Sequence, residues 1–199
     1  MFILGLTGSL GMGKSTTAGF FAEAGVPVHD ADAVVHRLYE GEAVAAIDAA
    51  FPGTAVAGKV DRGRLAARVV DNPEALRKLE AIVHPLVSAA KERFLREARA
   101  LGAKVVVLDI PLLLETAGDR RVDAIVVVSA PGDVQRQRVL ERAGMTPDKL
   151  DALLARQMAD SEKRRHGDFV VDTSRGFDAA RAQVKEILRA VATMPKRRR

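Results

Sequence analysis

The run Gly8-Ser9-Leu10-Gly11-Met12-Gly13-Lys14-Ser15 constrains this chain more than any other stretch of it. It satisfies G-x-x-x-x-G-K-[ST] in full, and its surroundings fit as well. Residues 2–6, FILGL, enter it as a buried strand, and a helix leaves it through residue 24. Glycines let the backbone curl until successive N–H groups point inward, forming a cradle for phosphate oxygens. The unpaired N–H groups and positive dipole end of the following helix add to that cradle. Such a loop between a first strand and a first helix implies binding of a nucleoside triphosphate. Leu10, Gly11, Met12, Gly13, Lys14, Ser15 and Thr16 are expected around its phosphates, with Lys14 at the β- and γ-phosphates and Ser15 on Mg²⁺.

Further apolar runs at 26–29, 104–108, 124–128 and 169–171 read as strands. They are continuous rather than alternating, as in parallel strands covered on both faces. Helix-like segments lie between them, so the expected class is α/β, a five-stranded parallel sheet flanked by helices. The long gap between the second and third strands holds helical pieces at 42–51, 62–70 and 74–99, the last started by Asn72-Pro73. His84-Pro85 falls inside that last piece and marks a bend, because proline lacks the backbone donor and crowds the preceding turn. A second helical insertion spans 132–166, with a capped start at Thr146-Pro147-Asp148. The final helix, 177–191, carries Val184, Ile187, Leu188 and Val191 at core-facing spacing.

Composition removes several classes of function. The formal charge is +5, and the terminal Lys196, Arg197, Arg198 and Arg199 account for four of it, so the body is nearly balanced. A nucleic-acid binder would show a broad basic face, and aromatics at 4% leave little for stacking on bases. The absence of Cys excludes a disulfide scaffold, a thiolate nucleophile and a Cys-based metal site. No signal peptide is visible, and no apolar run approaches the roughly 20 residues of a membrane span. A soluble cytoplasmic protein, without nucleic acid or membrane as a partner, is the expectation.

Acidic residues decide the chemistry. Asp109 ends the third strand at the edge where ligands gather in α/β sheets, and is expected to hold Mg²⁺ directly or through water, opposite Ser15. The competing role is that of a turn residue ending the strand. The apolar ledge Ile110-Pro111-Leu112-Leu113-Leu114 follows, and Glu115 belongs either to the polar site or to a helix start. Asp30 and Asp32 end the second strand; two apart on an extended backbone, they would point the same way. With the second strand beside the first, they would face the γ-phosphate. Asp32 is then expected to aim an attacking hydroxyl in line, with Asp30 supporting or capping. The competing role is that either carboxylate caps a helix beginning near Ala33.

Arg136, Arg138, Arg142 and Arg156 lie in the second insertion. Arg138 and Arg142, four apart, would share a helix face and close over the phosphates, although arginines on a solvated helix are also ordinary. Arg62, Arg64, Arg68, Arg77 and Lys78 in the first insertion suggest an acceptor carrying phosphate, while Asp61, Asp71, Glu74 and Glu80 offer plain ion pairs. The four His are too scattered for a metal cluster.

Taken together, these segments resemble the dephospho-coenzyme A kinase family over nearly the whole chain. The likeness is carried by Gly5-Leu6-Thr7-Gly8, Gly11, Gly13-Lys14-Ser15-Thr16, Asp30-Ala31-Asp32 and His36. It continues in Ile82-Val83-His84-Pro85-Leu86, with its His-Pro read as buried, in Asp109-Ile110-Pro111-Leu112-Leu113 with Glu115, and from Gln135 to Arg142 and on to Gln157. The resemblance implies a P-loop kinase core of the nucleoside monophosphate kinase type over 1–32, 102–131 and 167–195. It adds a helical acceptor insert at 33–101, a lid at 132–166 and a basic tail at 196–199. It also implies transfer of the ATP γ-phosphate, with Mg²⁺, to the ribose 3′-hydroxyl of dephospho-coenzyme A, and no obligate protein partner. Asp32, Lys14, Arg138 and Arg142 would be catalytic, and Asp32, Arg64, His84, Pro111 and Leu112 would meet the acceptor. One departure stands out: the family often shows Asn-Ser-Gly after the last strand, near the expected adenine, where this chain has Asp172-Thr173-Ser174-Arg175-Gly176. The residues alone also fit a kinase for another small hydroxylated acceptor (a nucleoside, nucleotide or sugar acid) or a non-catalytic nucleotide-binding regulator.

Overall fold

Runs of aliphatic side chains supply the strands, and striped segments the helices. The structure, a computed structural model, describes residues 1–116 and 122–196, so three of the four residues of the expected basic tail lie outside the described residues. The chain opens with β1 (Phe2–Thr7), α1 (Lys14–Glu23), β2 (Val28–Asp30), α2 (Ala31–Tyr39) and α3 (Val44–Ala50). Next come β3 (Ala55–Val56), β4 (Lys59–Val60), α4 (Arg62–Val69), α5 (Pro73–Ala100) and β5 (Val105–Asp109). β6 (Ala124–Ser129), α6 (Gly132–Leu140), α7 (Pro147–Leu154), α8 (Asp160–His166), β7 (Phe169–Asp172) and α9 (Phe177–Val191) complete it. Two compact units result: Met1–His29 with Ala98–Arg199, and Asp30–Glu97.

The first unit is built on the five-stranded sheet, in the order β2-β5-β1-β6-β7. β1 pairs in parallel with β5 (Leu4 opposite Val107) and with β6 (Leu6 opposite Val126), and β6 pairs in parallel with β7. Every residue of β1 and β6 is buried, which explains their unbroken apolar runs. Phe20 and Phe21 of α1 and Ala180, Val184, Ile187 and Val191 of α9 join Leu4, Leu6, Val126 and Val128 in one core. Residues 132–166, the expected lid, group with this unit. The start of α7 is capped as its sequence suggests, Thr146 Oγ1 accepting from the N–H of Lys149.

One expectation about the sheet is corrected. β2 does not lie beside β1; β5 comes between them, and the N–H of Val107 donates to the carbonyl of Pro27 (2.9 Å). Consecutive strands are neighbours in only about two-thirds of cases, and nothing within a three-residue strand states which partner it takes.

The second unit has its own core, from Val34, Leu38, Ile47, Phe51, Val60, Leu65, Leu79 and Val83. Between α3 and α4 runs a hairpin with Ala55 opposite Val60 and Val56 opposite Lys59. Its central residues, Ala57 and Gly58, both have positive φ (49° and 77°), the hand that a two-residue hairpin turn requires. The expected helical piece at 74–99 is α5, one helix of 28 residues with Pro85 inside it. One feature differs from expectation: His84 and Pro85 are exposed rather than buried. Proline forfeits the bond to the carbonyl four residues back; Ala81 is also on the exposed side, where water can serve that carbonyl.

Candidate active site

β1 delivers the chain into the glycine loop, and backbone geometry there is set by close approach. A Cβ at Gly8 would stand 2.7 Å from the carbonyl oxygen of Val128, on the neighbouring β6. Gly8→Ala therefore has to lift the loop off that strand. It is expected to destabilise the fold by about 1–3 kcal/mol and to weaken Mg·ATP binding, read by melting and calorimetry. Parental nucleotide affinity would show that this seat does not matter. Gly13 adopts φ 88°, ψ 21° as the residue preceding α1, a conformation L side chains rarely take, and no side chain caps the helix behind it. The N–H groups of the first turn thus remain for an anion.

The loop is anchored from behind by residues that the sequence named without giving them this role. Met12 is 1% exposed, and its Sδ accepts from the N–H of Ala130 (3.1 Å), so Met12 offers a ligand only its backbone. Thr173 Oγ1 donates to the carbonyl of Met12 (2.8 Å). Gln157 Oε1 accepts from the N–H of Leu10 (3.1 Å), and Gln135 Nε2 donates to the carbonyl of Leu10 (2.7 Å). Ser15 and Thr16 are exposed at the start of α1, open to a ligand.

Beside the loop, Lys14 Nζ lies 2.5 Å from Asp109 Oδ1, with side-chain exposures of 15% and 2%. Two residues 95 positions apart meet because β5 is hydrogen-bonded alongside β1, and Asp109 is its last residue. Thr7 Oγ1 donates to the carbonyl of Pro111 (3.0 Å), tying the segment after β5 to the same edge. Leu112 is exposed, whereas Leu113 is fully buried. Glu115 belongs to a polar contact rather than a helix: its Oε1 accepts from the N–H of Met158 (3.0 Å) and lies 2.9 Å from Lys163 Nζ. Burial pushes the Glu115 carboxyl up, but Lys163 and the N–H of Met158 outweigh it and hold it below its ordinary value.

Arg138 donates from Nη1 to Thr173 Oγ1 (2.9 Å) and from Nη2 to the carbonyl of Thr173 (2.8 Å). Through Thr173 it reaches the carbonyl of Met12 in the glycine loop. The turn beyond β7 is ordered by Asp172, whose Oδ1 accepts from both the hydroxyl and the N–H of Ser174. Those two bonds hold its carboxyl below the ordinary value. Arg142 does not share a helix face with Arg138: α6 ends at Leu140, Arg142 follows in an exposed turn, and so the four-residue spacing no longer aligns them. Arg156 is exposed as well.

In the second unit a cleft of about 490 Å³ is lined by Asp32, Val35, Tyr39, Arg62, Leu65, Ala66, Val69 and Leu79. Its walls are helical faces: Asp32, Val35 and Tyr39 recur on α2, and Arg62, Leu65, Ala66 and Val69 on α4, at spacings of three and four. The Arg62 guanidinium lies 5.8 Å from the centre of the Tyr39 ring. Burial raises the Tyr39 phenol above its ordinary value, and Arg62 opposes the shift.

Asp30 and Asp32 are not paired along a strand. The chain turns helical at Ala31, and Asp30 Oδ1 caps α2 by accepting from the N–H of Ala33 (2.9 Å). Asp32 is left facing the cleft. Arg64 and His84 do not line it; Arg64 donates its N–H to the cap Asp61 and Nη1 to the carbonyl of Gly53 (3.3 Å). Tyr39 and Arg62 do line it; Arg62 was among the cations expected on the acceptor side, and the periodicity of 31–39 was the signal that could have found Tyr39.

The donor set suits a hard cation. A hydroxyl from Ser15 and a carboxylate from Asp109 provide oxygen ligands, few enough for an ion that keeps water and phosphate oxygens around it. Among the described residues no group of three or more His, Cys, Asp or Glu is placed to hold a metal without such help.

The family model described as Dephospho-CoA kinase matches residues 2–179. The chain belongs to the dephospho-CoA kinase family. A relative from Rhodopseudomonas palustris named Dephospho-CoA kinase is 62% identical over 198 residues, covering 100% of both chains. A crystal structure from Thermus thermophilus, 34% identical, superposes with a TM-score of 0.84 and covers 97% of this chain and 98% of that one. A dephospho-CoA kinase from Campylobacter jejuni shares the fold at 22% identity, with a TM-score of 0.71 and coverage of 95% and 96%. Membership makes this chain an enzyme, an ATP-dependent kinase that moves the γ-phosphate of ATP to dephospho-CoA.

Proposed function

We propose that the phosphate is delivered to the ribose 3′-hydroxyl of dephospho-coenzyme A, with Lys14, Ser15, Asp109, Asp32 and Arg138 as the working groups. The observation that carries this reading is the Lys14–Asp109 pair beside an uncapped glycine loop. Loop N–H groups bind the phosphates, and the Lys14 ammonium moves from Asp109 onto the β- and γ-phosphate oxygens. Ser15 and Asp109 would hold Mg²⁺, which when bound supplies neutralising charge to the triphosphate. Asp32 accepts a hydrogen bond from the 3′-hydroxyl, aims it in line, and takes its proton as the new bond to the γ-phosphorus forms and the bond to the bridging oxygen breaks, releasing ADP. Arg138, steadied by Thr173, lies ready to meet charge developing on the transferred group, and Arg142 joins it when 132–166 closes as a lid.

Residues 1–32, 102–131 and 167–195 act as the nucleotide core and 33–101 as the acceptor side. There the cleft offers Arg62 to a phosphate of the acceptor and apolar walls to its chain; Arg64, His84, Pro111 and Leu112, none of which lines that cleft, complete the proposed set of acceptor contacts. No helix among the described residues is long and apolar enough to cross a membrane. A cytoplasmic enzyme with no nucleic acid and no obligate protein partner belongs to the same proposal.

An acceptor panel tests this reading. ADP release in Mg²⁺ and ATP should depend on added acceptor and be fastest with dephospho-coenzyme A, ahead of nucleosides, nucleotides and sugar acids. Faster turnover with any other panel member, or acceptor-independent ADP release, would overturn it.

A further inference from the structure

The segment from Gln157 to Lys163 has no part in the transfer described above, yet it touches three pieces of the phosphate-binding edge. Gln157 holds the N–H of Leu10 in the glycine loop. Asp160 Oδ2 accepts from Ser129 Oγ at the end of β6 (2.7 Å). Met158 and Lys163 both engage Glu115 Oε1, six residues beyond Asp109. One short stretch thereby spans the glycine loop, the end of β6 and the segment that leaves β5.

Its anchor is chemically unusual. Lys163 has no exposed side-chain surface, and lysine is almost never fully buried without a partner. Lys163 Nζ, Glu115 Oε2 and Asp160 Oδ1 are all buried without a hydrogen-bond partner among the described residues. The ammonium and carboxylate are thus close, at 2.9 Å, but outside hydrogen-bonding alignment. Apolar residues of the same volume would serve packing at least as well as such a pair. Packing alone does not account for it.

We infer that the Lys163–Glu115 ion pair is a positioning device for the nucleotide, fixing α8 against the segment that follows Asp109 and, through Gln157, fixing the Leu10 N–H that lines the glycine loop. The inference rests on the ATP-dependent kinase reading. Neither residue touches a reacting atom; they act through Leu10 and through the segment that carries Asp109. None of the residues lining the acceptor cleft belongs to this clasp, and the carbonyl of Pro111 is held separately by Thr7.

The test separates position from stability. Lys163→Met alone strands a buried carboxylate and will lower the melting temperature. The double variant Glu115→Gln with Lys163→Met keeps an acceptor for the N–H of Met158 and removes both charges of the pair together, so it is expected to melt close to the parent. Its affinity for a non-hydrolysable ATP analogue with Mg²⁺ is nevertheless expected to fall by roughly tenfold. KM for ATP should rise in parallel while KM for the acceptor barely moves. Gln157→Ala, which disturbs no buried charge, should give the same signature. Parental analogue affinity and KM for ATP in a folded double variant, or in Gln157→Ala, would overturn the inference. The analogue titration requires no acceptor, so it reads the clasp even if the acceptor assignment fails.

Discussion

Replacing Asp32 with Ala is expected to lower kcat by about 10²–10⁴-fold, the range for removing a positioned proton acceptor, with Mg·ATP affinity close to the parent's. The two neighbouring carboxylates separate cleanly in the structure. Asp30 is engaged as the cap of α2, bonded to the N–H of Ala33, whereas Asp32 sits one position into the helix and lines the cleft with Arg62 and Tyr39. A loose phosphoryl transition state leaves the protein mainly the task of aiming the hydroxyl, so losing that aim appears in kcat rather than in nucleotide binding. The matched control is Asp30→Ala, which removes a cap worth about 1 kcal/mol and should lower the melting temperature by roughly 2–4 °C with kcat little changed. Near-parental kcat in Asp32→Ala would end the assigned role. Loss of ATP binding there would make Asp32 structural instead.

The second large effect falls on Lys14. Lys14→Met should abolish measurable turnover, because the loop then binds phosphate without its mobile positive charge. It should also destabilise the protein, since Asp109 is 2% exposed and loses the Lys14 ammonium from its side. Stranding one member of a buried pair costs about 3–5 kcal/mol. Lys14 keeps some exposure, so the lower end applies, and about 3 kcal/mol corresponds to a melting temperature lower by roughly 6–12 °C. Adding Asp109→Asn to Lys14→Met should restore most of the melting temperature and none of the activity. Recovery of both would mean that the pair is structural. Recovery of neither would mean that the buried charge is not the source of the instability.

What was legible in the sequence was local. The glycine loop announced itself because its function resides in backbone shape, which Gly8, Gly11 and Gly13 dictate without help from distant residues. The last helix was bounded at 177–191, as observed, since Val184, Ile187 and Val191 mark a face that a single element must bury. β6 was visible as an unbroken apolar run because every one of its residues is buried; β7, at the sheet edge, gave the same signal although it leaves Val170 exposed.

What depended on tertiary contact was not legible. Nothing within Val28–Asp30 states that β5 will come between it and β1. The same-facing pair of Asp30 and Asp32 does not form because the chain becomes helical at Ala31 rather than near Ala33; the capping role, the alternative the residues also allowed, is the one Asp30 takes. The exposure of His84-Pro85 was not legible either: α5 packs through Leu79 and Val83, which leaves the proline on its solvated face. Lys163 was silent for the same reason. Its charge, in a run with Arg164 and Arg165, looks like solvated surface until the fold brings Glu115 within 2.9 Å.

The most direct measurement is the destination of the phosphate. Dephospho-coenzyme A incubated with Mg²⁺ and γ-labelled ATP should yield a product carrying one labelled phosphoryl group, located on the ribose 3′-oxygen by phosphorus–proton coupling. Label on the 2′-oxygen, or appearing only as inorganic phosphate, would contradict the transfer proposed for this site.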